Sequence, residues 1–351
     1  MAKRRLNRQQ KWRIDKISQE KSLRAQKKDR DISRQISSGD LSCEQKGLVI
    51  SHFGKLIDVE ALEGEDTGVL HRCHFRANID NLVTGDEVIW RAGSDRSGVI
   101  ETVLERRSLL QRPDSYGNLK PVASNIDNLV IVASPVPLTY SILIDRYLVA
   151  AENMHIEPVI LLNKTDLIDD QNRDELEALM GSYQRLGYRI LTASVVEKNG
   201  LEAFTDFLNQ KNTVLAGQSG VGKSSLIKAL LPDQDIRIGE VSDANMKGRH
   251  TTTTARLFHL PGGGNLIDSP GIREFGLWHM DDDELLFGFR EFRPLIGTCK
   301  FRNCQHDHEP GCAFSRAVES GAISEERFAN FKKLRSTLGD LNMKSHNNLT
   351  T

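Results

Sequence analysis

Residues 213–226 read Thr213-Val214-Leu215-Ala216-Gly217-Gln218-Ser219-Gly220-Val221-Gly222-Lys223-Ser224-Ser225-Leu226. An apolar run of strand length passes into a glycine-rich turn and then into a helix opening at Ser225-Leu226-Ile227, the context in which G-x-x-x-x-G-K-S binds phosphate. Gly217, Gly220 and Gly222 let the backbone turn tightly so that successive N–H groups point inward, with Gln218, Ser219, Val221 and Ser225 completing the cradle. Lys223, also a catalytic candidate, brings a point charge for β- and γ-phosphates, and Ser224 offers a hydroxyl to Mg²⁺. The helix aims its positive dipole end at the same anion. The stretch implies binding of a nucleoside triphosphate with Mg²⁺.

The chain around it has 351 residues, 38% of them hydrophobic, enough for two or three domains with cores of their own. No apolar run approaches the roughly 18 residues of a membrane span. The start, Met1-Ala2-Lys3-Arg4-Arg5, lacks an apolar signal region, so a cytoplasmic protein with no membrane partner is expected. The formal charge of −1 hides an asymmetry, because residues 1–36 hold thirteen Lys/Arg against four acidic residues and leave an acidic body. A basic arm of this kind reads as a solvated, disordered extension that orders on a polyanion such as RNA. The five cysteines, at 43, 73, 299, 304 and 312, form an odd set without a secretion signal, which argues against a disulfide framework.

Before the glycine-rich turn the texture changes twice. From Cys43 to about Arg112, short alternating segments (47–50, 68–75, 86–90 and 97–101) separated by Gly and Asn/Asp turns predict a small closed barrel of the oligonucleotide-binding (OB) type, with Arg72, Arg76, Arg91 and Arg106 on an exposed face. Residues 107–123 are rich in turn formers and read as a linker. Beyond them, Leu129-Val130-Ile131-Val132-Ala133 and Pro158-Val159-Ile160-Leu161-Leu162 are near-continuous apolar runs separated by a helix around 142–153, the pattern of parallel strands covered on both faces. This is α/β architecture.

Asn163-Lys164-Thr165-Asp166 follows the second of these strands directly. An Asp at the carboxyl end of a parallel strand can accept from N1–H and the exocyclic amine of guanine, while Asn reads the other purine edge and the Lys stem packs on the base. Adenine has no N1–H and would leave the carboxylate unpaired, so such a site rejects ATP. At the next strand end, 190–194, the backbone of Ala193 is placed to contact the guanine oxygen. After the phosphate loop, Gly248-Arg249-His250-Thr251-Thr252-Thr253-Thr254 offers a threonine to complete a Mg²⁺ shell and sense the γ-phosphate, with Thr253 favoured over Thr252 because a strand begins just after it. His250 is the candidate to orient attacking water. Asp268-Ser269-Pro270-Gly271 ends a further strand, where Asp268 can hold Mg²⁺ through water and the Gly271 N–H can bond the γ-phosphate. Ile272 occupies the position where many GTPases carry a water-orienting glutamine, so slow intrinsic turnover is expected.

These motifs resemble those of GTPases in permuted order: Asn163–Asp166 precedes the phosphate loop and Asp268–Gly271 comes last. Together with a preceding barrel and a following Cys/His segment they resemble the circularly permuted, small-ribosomal-subunit-dependent GTPases of the RsgA family over about residues 45–335. The resemblance implies a late-acting assembly factor of the small (30S) subunit that contacts its rRNA, whose conversion of GTP to GDP and phosphate is stimulated by that subunit. The domains expected are a basic extension (1–42), the OB-type barrel (43–113), a permuted α/β GTPase domain (114–282) and a zinc-binding helical domain with a polar tail (283–351), monomeric when free.

The Cys/His segment, Cys299-x4-Cys304-x-His306-x5-Cys312, supplies three thiolates and one imidazole, a set suited to one closed, tetrahedral, structural Zn²⁺. Spacing leaves His306 and His308 as rivals for the imidazole; the resemblance implies His306. Ile323, Phe328, Phe331 and Leu334 have helical periodicity and predict a small core beside it, Lys300, Arg302, Lys332, Lys333 and Arg335 offer a second RNA-facing charge, and the chain after about 336 reads as frayed and polar.

Overall fold

The computed structural model describes residues 41–53, 56–76, 78–113, 119–232, 255–268, 280–307 and 309–349. It divides into two compact units, the first ending at Arg106 and the second spanning Arg107–His346.

The first unit is a closed barrel of β1 (Gln45–Phe53), β2 (Leu56–Ala61), β3 (Leu70–Phe75), β4 (Glu87–Ala92) and β5 (Ser97–Val103). The pairings run β1–β2–β3–β5–β4 and return from β4 to β1; only β3 and β5 are parallel. Strand β2 carries the alternation Leu56-Ile57-Asp58-Val59-Glu60-Ala61 and was not among the segments read from the sequence. The core is built around Trp90, fully buried with Val49, Ile57, Val59, Cys73 and Ile100. Gly47 and Gly98 make room for it, since a Cβ at either would come within 2.6 or 2.8 Å of the indole. The four arginines expected on a free face are each paired with a carboxylate: Arg72 with Asp58, Arg76 and Arg91 with Glu101, Arg106 with Asp86.

The second unit begins with a hairpin, β6 (Leu109–Pro113) and β7 (Leu119–Ser124), where a linker was expected. Leu110 and Ala123 are buried, so two apolar anchors outweigh the turn-forming composition, and the boundary expected at 113/114 falls at Arg106/Arg107. The sheet that follows contains β8 (Asn128–Ala133), β9 (Glu157–Asn163), β10 (Arg189–Ala193), β11 (Asn212–Ala216), β12 (Arg256–His259) and β13 (Asn265–Asp268) in the order β10-β9-β8-β11-β13-β12. All pairings are parallel except β12–β13. Every residue of β8 is buried, as its unbroken apolar run requires of a strand covered on both faces. Helices α1 (Ser141–Asn153), α2 (Arg173–Arg185), α3 (Glu202–Leu208) and α4 (Lys223–Leu230) connect the strands. Strand succession runs one way from β8 and the other way from β11, which makes the crevice beyond their carboxyl ends the switch point where ligands of open α/β sheets bind.

The C-terminal part of this unit comprises α5 (Asp282–Phe287), a 3₁₀ turn (Arg290–Leu295), α6 (Ala313–Glu319) and α7 (Glu325–Leu349). Asp281 and Glu284 close a capping box at the start of α5. Phe289, Phe292, Phe314, Phe328 and Phe331 pack as one aromatic cluster, to which the expected periodic positions of α7 contribute. Helix α7 continues to Leu349 where fraying after 336 was expected. Among the described residues no helix is long and apolar enough to cross a membrane.

Candidate functional site

The phosphate loop leaves β11 at Ala216 and enters α4 at Lys223, two residues earlier than the sequence suggested. Gly217, Gly220 and Gly222 have φ of 143°, 87° and 97°, where side chains are strained, and a Cβ at Gly217 would sit 2.5 Å from the Val132 carbonyl. Lys223 Nζ folds back over the loop, donating to the Gly217 and Gln218 carbonyls at 2.7 Å each. The Gln218 side chain ties the loop to the segment after β8 by donating to the Leu138 carbonyl at 3.1 Å. Val221 is fully buried, Ser224 half-buried and Ser225 exposed.

The Asn163–Asp166 segment leaves β9 one strand beyond β8 and meets the glycine-rich loop directly. Asn163 Nδ2 donates to the Val221 carbonyl at 2.9 Å, and a Cβ on Gly222 would come within 2.4 Å of that amide. Lys164, at φ 60°, sends Nζ to the Gly220 and Val136 carbonyls at 2.7 Å. Asp166 is exposed, and its Oδ1 accepts from the Ser194 hydroxyl at 2.6 Å. Thr165 reaches the Ala193 carbonyl and Glu197. Ala193 itself is buried at the strand end; the residue that orients Asp166 is Ser194. Sequence reasoning passed over it, although a hydroxyl one residue beyond a parallel strand was the available signal. Asp268 closes β13, next to β11 in the sheet. His250, Thr253 and Gly271 lie outside the described residues, as do residues 1–40 of the basic arm and His308.

The groups present fit a triphosphate carrying a purine. A cradle bare of side chains, an ammonium held over it and an outward carboxylate one strand away are the recognition elements such a ligand requires. In addition, Asn163 Oδ1 is buried without a hydrogen-bond partner among the described residues. A cavity lined by Ser194, Val195, Glu197 and Asn199 borders the Asp166 end of this arrangement. Another, of about 380 Å³, lies at the opposite end of the sheet, between Arg107, Asp127 and Glu157, and contains none of these groups.

The sulfurs and ring nitrogens of Cys299, Cys304, His306 and Cys312 all lie within 4.8 Å of one another. Tetrahedral bonds of about 2.3 Å to sulfur and about 2.0–2.1 Å to nitrogen set the two elements about 3.6 Å apart. Cys299 Sγ and Cys312 Sγ are 3.5 and 3.6 Å from His306 Nδ1. The Phe314 ring covers His306 with centroids 4.3 Å apart, and the Ala313 N–H donates to Cys299 Sγ. Burial, with Arg335 nearby, lowers the His306 pKa and favours the neutral imidazole that a ligand needs. These four residues could hold a metal ion such as zinc.

A phosphate loop joined to a guanine-type reader, on a parallel sheet that meets them in reversed chain order, defines a circularly permuted GTPase domain. The RsgA GTPase family model matches residues 103–278. The small ribosomal subunit biogenesis GTPase RsgA of Marinobacter nauticus is 56% identical over 342 residues, covering 97% of both chains. That of Hahella chejuensis is 53% identical over 347 residues, covering 99% of this chain and 100% of the relative. Among solved structures, YjeQ from Thermotoga maritima superposes with a TM-score of 0.67 at 32% identity, covering 84% of this chain and 98% of its own. YloQ, described as a circularly permuted GTPase, gives 0.67 at 31%, covering 85% and 96%. The chain belongs to the RsgA GTPase family, and it is a GTP hydrolase.

Proposed function

We propose that this GTPase of small-ribosomal-subunit biogenesis binds GTP at the β8/β11 switch point and that the subunit stimulates its hydrolysis there. One observation carries the assignment of the pocket: Asn163 of the base-reading segment is hydrogen-bonded to Val221 of the phosphate loop, so the two halves of a guanine-nucleotide site are a single structure. Asn163 and Asp166 read guanine, with Lys164 and Thr165 bracing the loop and Ser194 aiming Asp166. Residues 217–225 hold the phosphates. Ser224, Thr253 and Asp268 are the residues to hold Mg²⁺, which when bound neutralises the crowded phosphate charge. Lys223 binds the β/γ-phosphates, the Gly271 N–H bonds the γ-phosphate and His250 orients water. One Zn²⁺ on Cys299, Cys304, His306 and Cys312 staples the C-terminal loop. The barrel is of the oligonucleotide-binding type, a reading supported by five strands closed with the order 1-2-3-5-4, and together with the C-terminal part it contacts rRNA. The protein is cytoplasmic and monomeric when free.

Single-turnover hydrolysis of GTP, with and without purified small subunits, tests this reading. A rate increase of about 10³ or more is expected, the range in which partners supply transition-state groups to slow GTPases. Equal rates would reduce the nucleotide to a structural ligand.

A further inference from the structure

The phosphate loop is poorly able to hold its own shape. Gly217, Gly220 and Gly222 all stand at positive φ, a region that glycine enters and leaves freely, and a cradle of converging N–H dipoles is disfavoured until an anion fills it. Its outward carbonyls are where the surroundings take hold. Those of Gly217 and Gln218 accept from Lys223 Nζ at 2.7 Å, an ammonium that a triphosphate would also claim. Those of Gly220 and Val221 accept from Lys164 Nζ and Asn163 Nδ2, at 2.7 and 2.9 Å. A further tie in the first half of the loop is made by a side chain. Gln218, half-buried, donates from Nε2 to the Leu138 carbonyl at 3.1 Å and reaches the Pro137 carbonyl at 3.5 Å.

The segment that receives this tie, residues 134–140 between β8 and α1, is fixed from within. Ser134 and Thr139 are buried; the Ser134 N–H donates to Thr139 Oγ1 at 3.1 Å, and the Ser134 hydroxyl donates to the Pro137 carbonyl at 2.9 Å. Pro137 also lies against the phosphate loop, with two ring carbons 3.4 Å from where a Cβ on Gly220 would stand. The base-reading side is held by the same segment, since the Val136 carbonyl accepts at 2.7 Å from Lys164 Nζ, the ammonium that also holds Gly220. Residues 136–138 are therefore a common anchor for both halves of the pocket. We infer that Gln218 is a positioning residue for GTP binding: through its side-chain amide, the 134–140 segment sets where the first half of the phosphate loop stands relative to Asn163–Asp166. The inference rests on the reading that this loop binds GTP. A nucleotide spans both halves at once, so a loop free to drift from the base-reading segment has to be drawn back at the expense of affinity.

Calorimetry with a non-hydrolysable GTP analogue on the full-length, nucleotide-free chain reads both the dissociation constant and the number of sites filled. Gln218→Met keeps the length of the side chain and removes the donor; it is expected to weaken binding about 3- to 12-fold, the size of one hydrogen bond, with one site per chain still filled. A variant that was merely part-unfolded would lose sites while the remainder kept the parent's affinity. Thr139→Val removes the acceptor for the Ser134 N–H and should weaken binding in the same direction, whereas Thr139→Ser keeps the hydroxyl and should stay within twofold of the parent. Should Thr139→Val fail to fold, Ser134→Ala, which withdraws a donor from the Pro137 carbonyl, takes its place. Combined with Gln218→Met, neither should weaken binding beyond the larger single effect, since all act along one route. A loss below threefold in Gln218→Met overturns the inference, as do effects that simply multiply. Lys223→Ala separates the two levels. If it leaves affinity for the analogue intact, the GTP reading itself fails; if it abolishes affinity while Gln218→Met does nothing, only the positioning role fails.

Discussion

At the scale of single residues, the proposed preference for guanine depends on one carboxylate. Asp166 stands exposed at the end of its segment with one oxygen on Ser194. Asp166→Asn should lower GTP affinity about 10- to 150-fold, the loss of hydrogen bonds to a charged group, and gain xanthosine triphosphate, whose 2-oxo group suits an amide donor. Competition calorimetry with the two nucleotides checks this. Cys73 illustrates the opposite case, a group that burial makes inert. Enclosed in the barrel, and secondarily facing Asp58, its thiol is pushed up from an ordinary 9.0 to about 12. The unfolded thiol ionises first, so the contribution to stability is whole below pH 9 and is lost as pH rises toward 12. Wild-type denaturation midpoints should fall more steeply over that interval than those of Cys73→Ala. Exposed Cys43 should alkylate in the native state while Cys73 waits for unfolding.

Secondary elements show where composition misleads. The segment 107–123 has the turn formers of a linker, yet Leu110 and Ala123 are buried, and two anchors suffice to make it a hairpin. The loop 299–312 poses the reverse problem, having little regular structure to hold it. Three thiols and an imidazole lie within 4.8 Å of one another, a set that a metal ion such as zinc could close in place of a core, and the loop leads directly into α6 at Ala313, beside buried Phe314. Removing the metal with a strong chelator, or replacing Cys304 by Ser, should expose this loop and α6 to hydrogen exchange while leaving the barrel strands protected. Uniform protection with and without chelator would show that the four groups need no ion.

For the whole molecule, the permuted connectivity determines what a partner can reach. The chain passes from Asp268 at the nucleotide end of the sheet to α5 within fourteen residues, and the helices beyond grip α1 by its full length. In the reading proposed here, a change of nucleotide state would be passed along this short connection to the C-terminal helices, a route that the usual motif order does not provide. His250→Ala distinguishes chemistry from binding at this scale. It should keep GTP affinity within about threefold yet remove at least about 10² of the subunit-stimulated rate, the worth of a positioned general base or water-orienting group. Stimulated turnover equal to that of the wild type would remove His250 from the reaction.

The glycine-rich turn, the Asn163–Asp166 segment, the buried strands and the Cys/His set were all legible in the sequence, because each is a local pattern dictated by near neighbours: tight turns need glycine, doubly covered strands need unbroken apolar runs, and a closed metal site needs four donors within one loop. The pairing of the barrel arginines, the bond from Ser194 to Asp166 and the clamp joining Asp145, Arg327 and Asn330 were decided only by the tertiary structure. Asp145 and Arg327 stand 182 positions apart, and nothing in either neighbourhood signals a partner. Long-range polar contacts of this kind leave no periodicity along the chain; they exist only once packing has brought two strangers together and burial has made it costly for either to stay alone.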